Sequence, residues 1–431
     1  MLRSIRATCP ALLLLALCPQ PSTPQGLTFQ STPSGGFGAL DCLPIAASNA
    51  TVEISPAGPP VTLEVTGVYL RAAGSVEDGL YLGYAVREGI AKALRTYRSD
   101  DGGASWTRLG DVERTEDNRT KELDNAFPLV LPPGFPGTPM TMSNSSSSPT
   151  SNSTNRRRIL YAYRNHDRSL NNTLGVPDNY TLYRVTVSAS DDGGASWAVL
   201  GDIDARRANN GTANLNGLWE PFLRVAADGT TLQAFYSAEN NGSDQDSLMR
   251  ESVDGGVTWG PRRVVSGAGR VRSRDGMIGV ARLGDGEDLL DKRLILLFET
   301  TESGRFDMRR VLSPDDGQTW PVETRARVYD PLDEEKQASA PAGVINVGGT
   351  LVAGFMTNEG TNSSGTVPGD FKVVSSVDDG ETWSESLLIA SEAIWPGLYA
   401  LGRDRFLAMY SFDTREGGFV AATRVFQVQR T

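Results

Sequence analysis

Short apolar segments separated by turn-forming residues recur along most of the chain. The segments 218–226, 231–239, 246–252 and 259–265 alternate apolar with polar residues or are apolar throughout, which is typical of β-strands. Asp-Gly, Asn-Gly and Asp-Gly-Gly sequences stand between them, and these residues favour tight turns. The pattern therefore predicts a unit of four strands.

An octapeptide with the pattern S-x-D-x-G-x-[ST]-W stands between the third and fourth predicted strands of this unit and occurs five times in the chain. Its copies span residues 99–106, 190–197, 252–259, 313–320 and 376–383. Their tryptophans are separated by 91, 62, 61 and 63 residues, and the longest interval contains a polar, low-complexity insert at 137–158. A regular repeat of this length and strand content predicts a radially repeated, all-β fold.

The octapeptide itself is built from turn residues. Its Asp can accept backbone N–H bonds, its Gly can adopt positive φ, and its Trp can pack back onto the sheet. We therefore expect structural roles for its aspartates, which are Asp101, Asp192, Asp254, Asp315 and Asp378.

The two ends of the chain supply one further repeat. Residues 390–428 hold about three strands after the fifth octapeptide, and residues 27–65 form a strand-rich remainder outside any complete repeat. Pairing the two ends would cover the edges that an open array exposes. We predict a single domain, residues 27–431, that folds as a six-bladed β-propeller whose N-terminal strand closes the last blade.

The N-terminus has the pattern of a secretory signal peptide. Two arginines precede the apolar run 11–17, which is too short to span a bilayer. We place the signal peptide and a short Pro-rich segment within residues 1–26, so that only Cys42 of the three cysteines remains and no intramolecular disulfide forms.

Nine N-x-[ST] sequons also indicate secretion, and each predicts a surface loop. They begin at Asn49, Asn118, Asn144, Asn152, Asn171, Asn179, Asn210, Asn241 and Asn362. We expect a soluble, extracellular glycoprotein.

Composition excludes several classes of function. The chain has 41 Lys and Arg against 52 Asp and Glu, a net charge of −11 at pH 7, which disfavours binding to nucleic acids and anionic membranes. No later apolar stretch approaches 18 residues, so we expect no membrane anchor. A single His and one remaining Cys argue against a metal site. We expect a monomer without a cofactor.

The chemistry of a propeller lies near its central axis, where the first strand of each blade begins and the second ends. Polar residues at these positions include Asn125 and the residues to which we assign substrate binding. The latter are Arg71, Arg164, Asn165, His166, Glu239, Arg274, Asp275 and Trp395. For His166 we expect a hydrogen bond to sugar, or a place in a loop with its hydrogen bonds satisfied, rather than a role as general base. Carboxylates, arginines and aromatic residues together suit glycoside hydrolysis, which needs one carboxylic acid and a second group at the anomeric carbon.

Two resemblances to known families make this expectation more specific. The octapeptide is identified as the Asp-box, and a six-bladed propeller that carries it resembles the sialidase-like superfamily. Five further segments resemble the pattern of fungal glycoside hydrolase family 93. These are W-E-P-F-L-R-V (219–225), F-Y-S-A-E-N (235–240), S-R-D-G-M-I-G-V (273–280), L-L-F-E (296–299) and W-P-G-L-Y (395–399).

The second resemblance implies an exo-α-1,5-L-arabinanase that releases arabinobiose from linear arabinan with retention of configuration. It implies that Glu220 is the general acid/base, that Glu299 is the nucleophile and that Tyr399 stands beside the nucleophile. The apolar neighbours of Glu220 in the sequence also predict a raised pKa for its carboxyl. Glu239 and Asp275 are the alternative catalytic carboxylates, and retention predicts that the two carboxyl groups lie about 5 to 5.5 Å apart.

Two other functions remain open. A sialidase would need several arginines around a substrate carboxylate, an Asp acid/base and a Tyr nucleophile. Arg71, Arg87, Arg164 and Arg274 could contribute by their number, but V-Y-L-R-A (68–72) stands where sialidases carry F-R-I-P. A secreted propeller that binds glycans without hydrolysing them fits the blade count equally well. The number of carboxylates expected at the axis argues against it, because acids that repel one another add little to binding a neutral sugar.

Overall fold

The computed structural model describes residues 51–138, 157–169, 180–209, 216–286, 288–413 and 418–431. These residues belong to one compact unit, 47–431. The predicted signal peptide, Cys42, most of the 137–158 insert and the sequons at Asn49, Asn144, Asn152, Asn171, Asn179 and Asn210 lie outside the described residues.

The described residues form β-strands with a single short 3₁₀ helix, Val322–Thr324. The strands are β1 Val52–Pro56, β2 Val61–Ser75, β3 Gly79–Glu88, β4 Ala91–Ser99, β5 Thr107–Thr115, β6 Lys121–Val130, β7 Ile159–Arg168, β8 Tyr180–Ser190, β9 Ala198–Arg207, β10 Leu218–Val225, β11 Leu232–Asn241, β12 Asp244–Ser252, β13 Arg263–Ser266, β14 Gly276–Arg282, β15 Leu294–Thr300, β16 Asp307–Ser313, β17 Ala326–Tyr329, β18 Ala338–Val347, β19 Thr350–Thr357, β20 Gly369–Ser376, β21 Leu387–Ala400, β22 Arg405–Asp413 and β23 Phe419–Arg430. The four strands predicted from residue 218 onward correspond to β10–β13, and the all-β prediction is confirmed.

The strands hydrogen-bond into four sheets rather than the six separate blades that the repeat count predicts. Three sheets have four strands each, β6–β9, β10–β13 and β14–β17, and the fourth has eleven. The six blades of the prediction do not appear as six sheets, because two long strands, β2 and β21, each take part in two neighbouring sections of the large sheet. The first part of β21 pairs with β20 and its second part with β22, and β2 likewise pairs first with β23 and then with β3.

Six strands nevertheless form a closed ring around the axis of the β-propeller. Each of them contacts the next in the order β2, β6, β10, β14, β18 and β21, and β21 contacts β2 again. The chain ends meet on one strand: β1 and the first part of β2 both pair with β23. The predicted pairing of an N-terminal strand with the C-terminal strands is thus observed, and it covers the outer edge of β23.

The core lies between neighbouring sheets, which explains why the central strands are apolar on both faces. One apolar cluster, for example, combines Phe235 of β11 with Leu294 and Leu296 of β15. Close packing between β3 and β7 requires a glycine, because a Cβ atom at Gly83 would lie 2.3 Å from the ring of Tyr161. The sheets are therefore held together by apolar burial.

Each octapeptide forms the same hydrogen-bonded turn between the third and fourth strands of its unit. In the third copy, Ser252 Oγ donates to Asp254 Oδ1 at 2.8 Å, and the backbone N–H of Thr258 donates to the same carboxylate at 2.9 Å. The backbone N–H of Gly256 donates to Ser252 Oγ at 2.9 Å. The other four copies repeat these bonds. The predicted structural role of the five aspartates agrees with this geometry.

The sequons within the described residues differ in exposure. Asn362 is exposed, whereas Asn118 is buried and its backbone N–H donates to Ile90 O at 2.9 Å. The prediction of a surface loop is therefore wrong for Asn118, because the sequon pattern carries no information about packing.

Replacing Asp254 with Ala removes the shared acceptor of this turn. We expect the free energy of unfolding to fall by about 1 to 3 kcal/mol, because the donors of Ser252 and Thr258 lose their partner. Urea unfolding measures the change. Val253→Ala is the matched control, since the Val253 side chain is 73% exposed in the same turn; equal losses in both variants would contradict the structural role of Asp254.

Candidate active site

The six strands of the ring share one irregularity. In each of them the pairing with the next strand shifts register, and one non-glycine residue at the shift has a positive φ between 41° and 66°. These six residues, which we call the bulge ring, are Tyr69, Asn125, Glu220, Met277, Ala340 and Trp395. A bulge turns a side chain out of the regular alternation of a strand, and strain of this kind costs about 1 to 3 kcal/mol per residue and clusters at functional sites.

Several members of the bulge ring lie close together. Tyr69, Met277 and Ala340 form one buried apolar cluster, against which Trp395 packs. The charge of Glu220 acts on Tyr69. A cavity of about 350 Å³ lies between the ring strands, and all six strands contribute to its lining, including Tyr69 and Met277. Two of the six bulge residues thus line a cavity to which every ring strand contributes.

Glu220 has the properties of a general acid. Burial, and after it the negative charge of Glu299, raises the pKa of the Glu220 carboxyl from 4.5 to about 7. A hydrogen bond with Ser237 and the positive charge of Arg164 act in the opposite direction. The Ser237 hydroxyl also accepts the backbone N–H of Met277 at 3.0 Å, which fixes its position beneath the carboxyl. Glu220 can therefore hold a proton near neutral pH.

Glu299 lies near the end of β15, and one of its carboxylate oxygens is fixed by the backbone. The N–H of Ala340, whose φ is 48°, donates to Glu299 Oε2 at 2.7 Å. Burial raises the pKa of Glu299, while this hydrogen bond and the positive charge of Arg274 lower it. The Ala340 N–H thus holds the Glu299 carboxylate in place. The negative charge of Glu299 in turn favours the protonated form of Glu220.

Glu239, which is buried, pairs with the partly exposed Arg274 next to these two carboxyl groups. Arg274 Nη2 donates to Glu239 Oε1 at 2.8 Å and to Gln245 Oε1 at 2.9 Å. Glu239 Oε2 accepts the backbone N–H of Gly217 at 3.2 Å. Both oxygens of Glu239 are engaged, so this residue orients Arg274 rather than offering a free catalytic carboxylate.

Arg164 belongs to a charged network beside the ring. It pairs with Glu122 and, at 3.4 Å, with Asp124, and its guanidinium lies 4.9 Å from the centre of the Trp219 ring. Lys92 Nζ contacts Asp124 Oδ2 at 2.5 Å. Burial lowers the pKa of Arg164, but the charges of Glu122 and Asp124 outweigh it, and the pKa is raised. Sequence analysis missed Lys92, Glu122 and Asp124, because opposite charges on separate strands carry no common spacing.

Arg71 and Tyr69 stand together in the first ring strand. The Arg71 guanidinium lies 3.9 Å from the centre of the Tyr69 ring, and its Nη1 donates to Leu70 O at 2.7 Å. Burial lowers the pKa of Arg71 and raises the pKa of Tyr69. Sequence analysis proposed Arg71 but missed Tyr69. Aligning the ring strands could have found Tyr69, since it occupies the same position in β2 as Glu220 does in β10.

Three predicted substrate-binding residues lie inside the protein instead. His166 is fully buried against Tyr180, Tyr183 and Trp219, and its Nε2 is 2.9 Å from Leu218 O. Burial lowers the pKa of His166 well below its ordinary value. Its predicted contact with sugar is therefore not supported by the structure.

Asn165 and Asp275 are likewise engaged within the fold. Asn165 Nδ2 donates to Thr186 Oγ1 at 3.1 Å. Asp275 is fully buried. Its carboxylate accepts hydrogen bonds from Ser273 Oγ at 2.6 Å, from Thr300 Oγ1 at 2.7 Å and from Arg325 Nη1 at 2.7 Å. An acid with this many donors is a structural anchor, so its predicted roles in binding or catalysis are corrected.

The two residues predicted from W-P-G-L-Y, Trp395 and Tyr399, have different environments in the structure. Trp395 is a member of the bulge ring, as its proposed role requires. Tyr399 lies farther along β21, where its hydroxyl donates to Gly74 O at 2.6 Å, and burial raises its pKa to about 12. Tyr399 lines the axial cavity, but its hydroxyl is engaged with the backbone rather than with Glu299.

The described residues contain neither a candidate metal site nor a helix that could span a membrane. No group of three or more His, Cys, Asp or Glu side chains there is arranged to hold a metal ion. Likewise, none of the helices in that part of the chain has the length and apolarity needed to cross a membrane.

Comparison with known proteins gives structural neighbours only. No protein-family model and no curated protein matches the sequence. The Penicillium chrysogenum α-L-arabinanase complexed with arabinobiose superposes with a TM-score of 0.60 at 20% identity, covering 85% of this chain and 97% of that one. The family 93 α-L-arabinofuranosidase of Fusarium graminearum with arabinobiose gives 0.57 at 16% identity, with coverages of 85% and 98%.

The structure is also similar to that of a sialidase. A Hadza microbial sialidase gives a TM-score of 0.50 at 16% identity and covers 85% of this chain and 66% of its own. At these identities the similarity shows that the protein shares the β-propeller fold of glycoside hydrolases of the arabinanase and sialidase types.

Replacing Glu220 with Gln tests its raised pKa through stability. At pH 4 the carboxyl is protonated in the folded and unfolded chain, so we expect little change. As the pH rises from about 4.5 to 7, the unfolded chain releases a proton that the folded protein keeps, and the wild type loses stability. At pH 8 the variant should therefore be more stable, by at most about 3 kcal/mol.

Urea unfolding at both pH values measures this difference, with Glu323→Gln at an exposed position as the control. A change that is the same at pH 4 and pH 8 would show that Glu220 titrates like an ordinary surface carboxyl.

Proposed function

We propose that the protein is a secreted, retaining glycoside hydrolase that acts from the chain end on linear α-1,5-L-arabinan and releases arabinobiose. The observation that carries the proposal is the pair of carboxyl groups in which burial and, after it, the charge of Glu299 raise the pKa of Glu220 to about 7. Two carboxyl groups with different environments are what acid-assisted glycoside cleavage requires. The shared fold with arabinanases that bind arabinobiose supports the choice of substrate.

We also propose that the propeller has six blades. Its support is the closed ring of six strands, each with the same bulge. The four hydrogen-bonded sheets then arise because β2 and β21 continue from one blade into the next. The whole ring surrounds one axial site.

The reaction proceeds in two steps. In the first, Glu299 attacks the anomeric carbon while Glu220 gives its proton to the glycosidic oxygen; the bond from carbon to Glu299 forms, and the bond to the leaving sugar breaks. In the second, Glu220 takes a proton from water, whose oxygen attacks the same carbon and releases Glu299. Two inversions at one carbon give net retention.

The neighbouring residues serve these steps. The Ala340 N–H holds one oxygen of Glu299, so that the attacking carboxylate is oriented. Arg274, held by Glu239, stabilises the charged form of Glu299 between turnovers. Trp395 offers an aromatic face on which a sugar ring can stack.

A sialidase is the second candidate, and Arg71 beside Tyr69 favours it. A substrate carboxylate would need further free arginines, however, and Arg164 and Arg274 are paired with carboxylates of the protein. The electrostatics of the site therefore support a neutral sugar better.

Incubation with linear α-1,5-arabinan, followed by product analysis, tests the proposal. We expect arabinobiose from the wild type and at least a thousandfold lower kcat with Glu299→Gln, because the nucleophile is lost. NMR of the first-formed product should show the retained anomer. Sialyllactose is the control substrate: sialic acid from it, without arabinobiose from arabinan, would assign a sialidase, and binding without hydrolysis would leave a glycan-binding propeller.

The pH profile gives an independent check. Because Glu220 acts in its protonated form, kcat/KM on arabinan should fall as the pH rises through about 7. Activity that persists unchanged to pH 9 would exclude Glu220 as the acid.

A further inference from the structure

Asn125 is the one amide side chain in the bulge ring. It is 7% exposed, and its φ is 51°. Asn tolerates this backbone region better than most residues, so the position admits an amide where a larger or branched side chain would be strained. The backbone N–H of Asn125 donates to Asp124 Oδ1 at 2.9 Å, which stabilises the bulge without involving the amide.

The carbonyl oxygen of this amide is left without a partner. Asn125 Oδ1 is buried and has no hydrogen bond to any described residue. Asn165 Oδ1 shares this condition, whereas Asn358 accepts from Gln337 N–H and donates to Ser363 O. Of the two residues with an unpartnered oxygen, only Asn125 belongs to the bulge ring. A buried polar atom without a partner costs about 1 to 3 kcal/mol, so its presence there needs a physical reason.

The neighbours of Asn125 indicate what kind of group supplies the missing hydrogen bond to its Oδ1. Its strand, β6, lies between β2 and β10 in the ring, so the equivalent positions on either side are Tyr69 and Glu220. The charge of Asp124, the residue before it, reaches Tyr69. The unpartnered Asn125 Oδ1 thus belongs to the ring strand that lies between the strands of Tyr69 and Glu220.

We propose that Asn125 is a specificity-determining residue whose Oδ1 accepts a hydrogen bond from a hydroxyl group of the sugar that Glu220 and Glu299 attack. The inference rests on the proposed function and deepens it. A sugar hydroxyl can donate to this oxygen and still accept from another group, whereas an anionic group would be repelled by it. Asn125 therefore selects a hydroxyl-bearing part of the substrate.

The test separates binding from folding by replacing Asn125 with Gly. Glycine removes the amide and tolerates positive φ without strain. A purely structural amide would make the variant less stable, whereas a substrate-binding amide predicts an unchanged or higher midpoint of urea unfolding. At the same time kcat/KM should fall at least tenfold. Ala268→Gly, at an exposed position with φ of 52° outside the ring, controls for the backbone change.

A set of monodeoxy substrates adds a second measurement. The difference in rate between these analogues does not depend on the stability of the fold. One analogue, lacking the hydroxyl that Asn125 binds, should react equally fast with the wild type and the Asn125→Gly variant. Full activity of Asn125→Gly, or an equal loss on every analogue, overturns the inference while the proposed function stands.

Failure of the proposed function has a different signature. The wild type is assayed on linear arabino-oligosaccharides, an aryl α-L-arabinofuranoside and sialyllactose, and the variant on whichever of these is cleaved. Cleavage of sialyllactose alone rejects arabinan and leaves the role of Asn125 to be decided on that substrate by the same comparison. A wild type that cleaves none of them overturns both proposals.

Discussion

The structure depends on a ring of six strands that closes around one axis, with a left-handed residue at the same place in every strand. A regular strand alternates its side chains between two faces, and here both faces are buried against neighbouring sheets. The bulge breaks that alternation and changes the direction of one side chain per strand. Six strained residues are tolerated because the apolar clusters between the sheets, such as the one around Phe235 and Leu294, stabilise the strands on both sides of each bulge.

Electrostatics at the axis follow from this geometry. Glu220 comes from a bulge, whereas Glu299 comes from the end of a regular strand and is held by the amide of another bulge residue, Ala340. The two carboxyls therefore have different neighbours, and the pKa of Glu220 is raised by burial and by the charge of Glu299. Glu239 completes the arrangement by holding Arg274, whose positive charge favours the ionised form of Glu299.

The sequence predicted the strands and turns well because their signals are local. The octapeptide turns and the strands from residue 218 onward depend on spacing and turn chemistry within a few residues. Glu220, Glu299 and Trp395 could be proposed as site residues because they stand at the ends of apolar runs or in segments that resemble a known family. The number of separate sheets could not be predicted, since hydrogen bonding across β2 and β21 leaves no mark in the repeat.

Three errors at the site share a physical cause. His166, Asn165 and Asp275 also stand at or near strands, but a one-residue change in register moves a side chain to the other face of a strand, and the sequence does not fix that register. Tyr69 was missed although an alignment of the ring strands could have found it, and Tyr399 was predicted beside Glu299 although its hydroxyl is bonded to Gly74. The position of a residue along its strand could be predicted from the sequence. The face of the strand toward which its side chain points could not, and it is known only from the structure.

The titration of Glu220 itself tests the account most directly. Carbon-13 NMR of the glutamate carboxyls, with Glu220 assigned from the Glu220→Gln variant, would give its pKa in the wild type and in Glu299→Gln. We predict a value of about 7 in the wild type and a clearly lower value once the charge at position 299 is removed. A wild-type value near 4.5, or one that does not respond to Glu299→Gln, would contradict the coupled carboxyl pair on which the proposed chemistry rests.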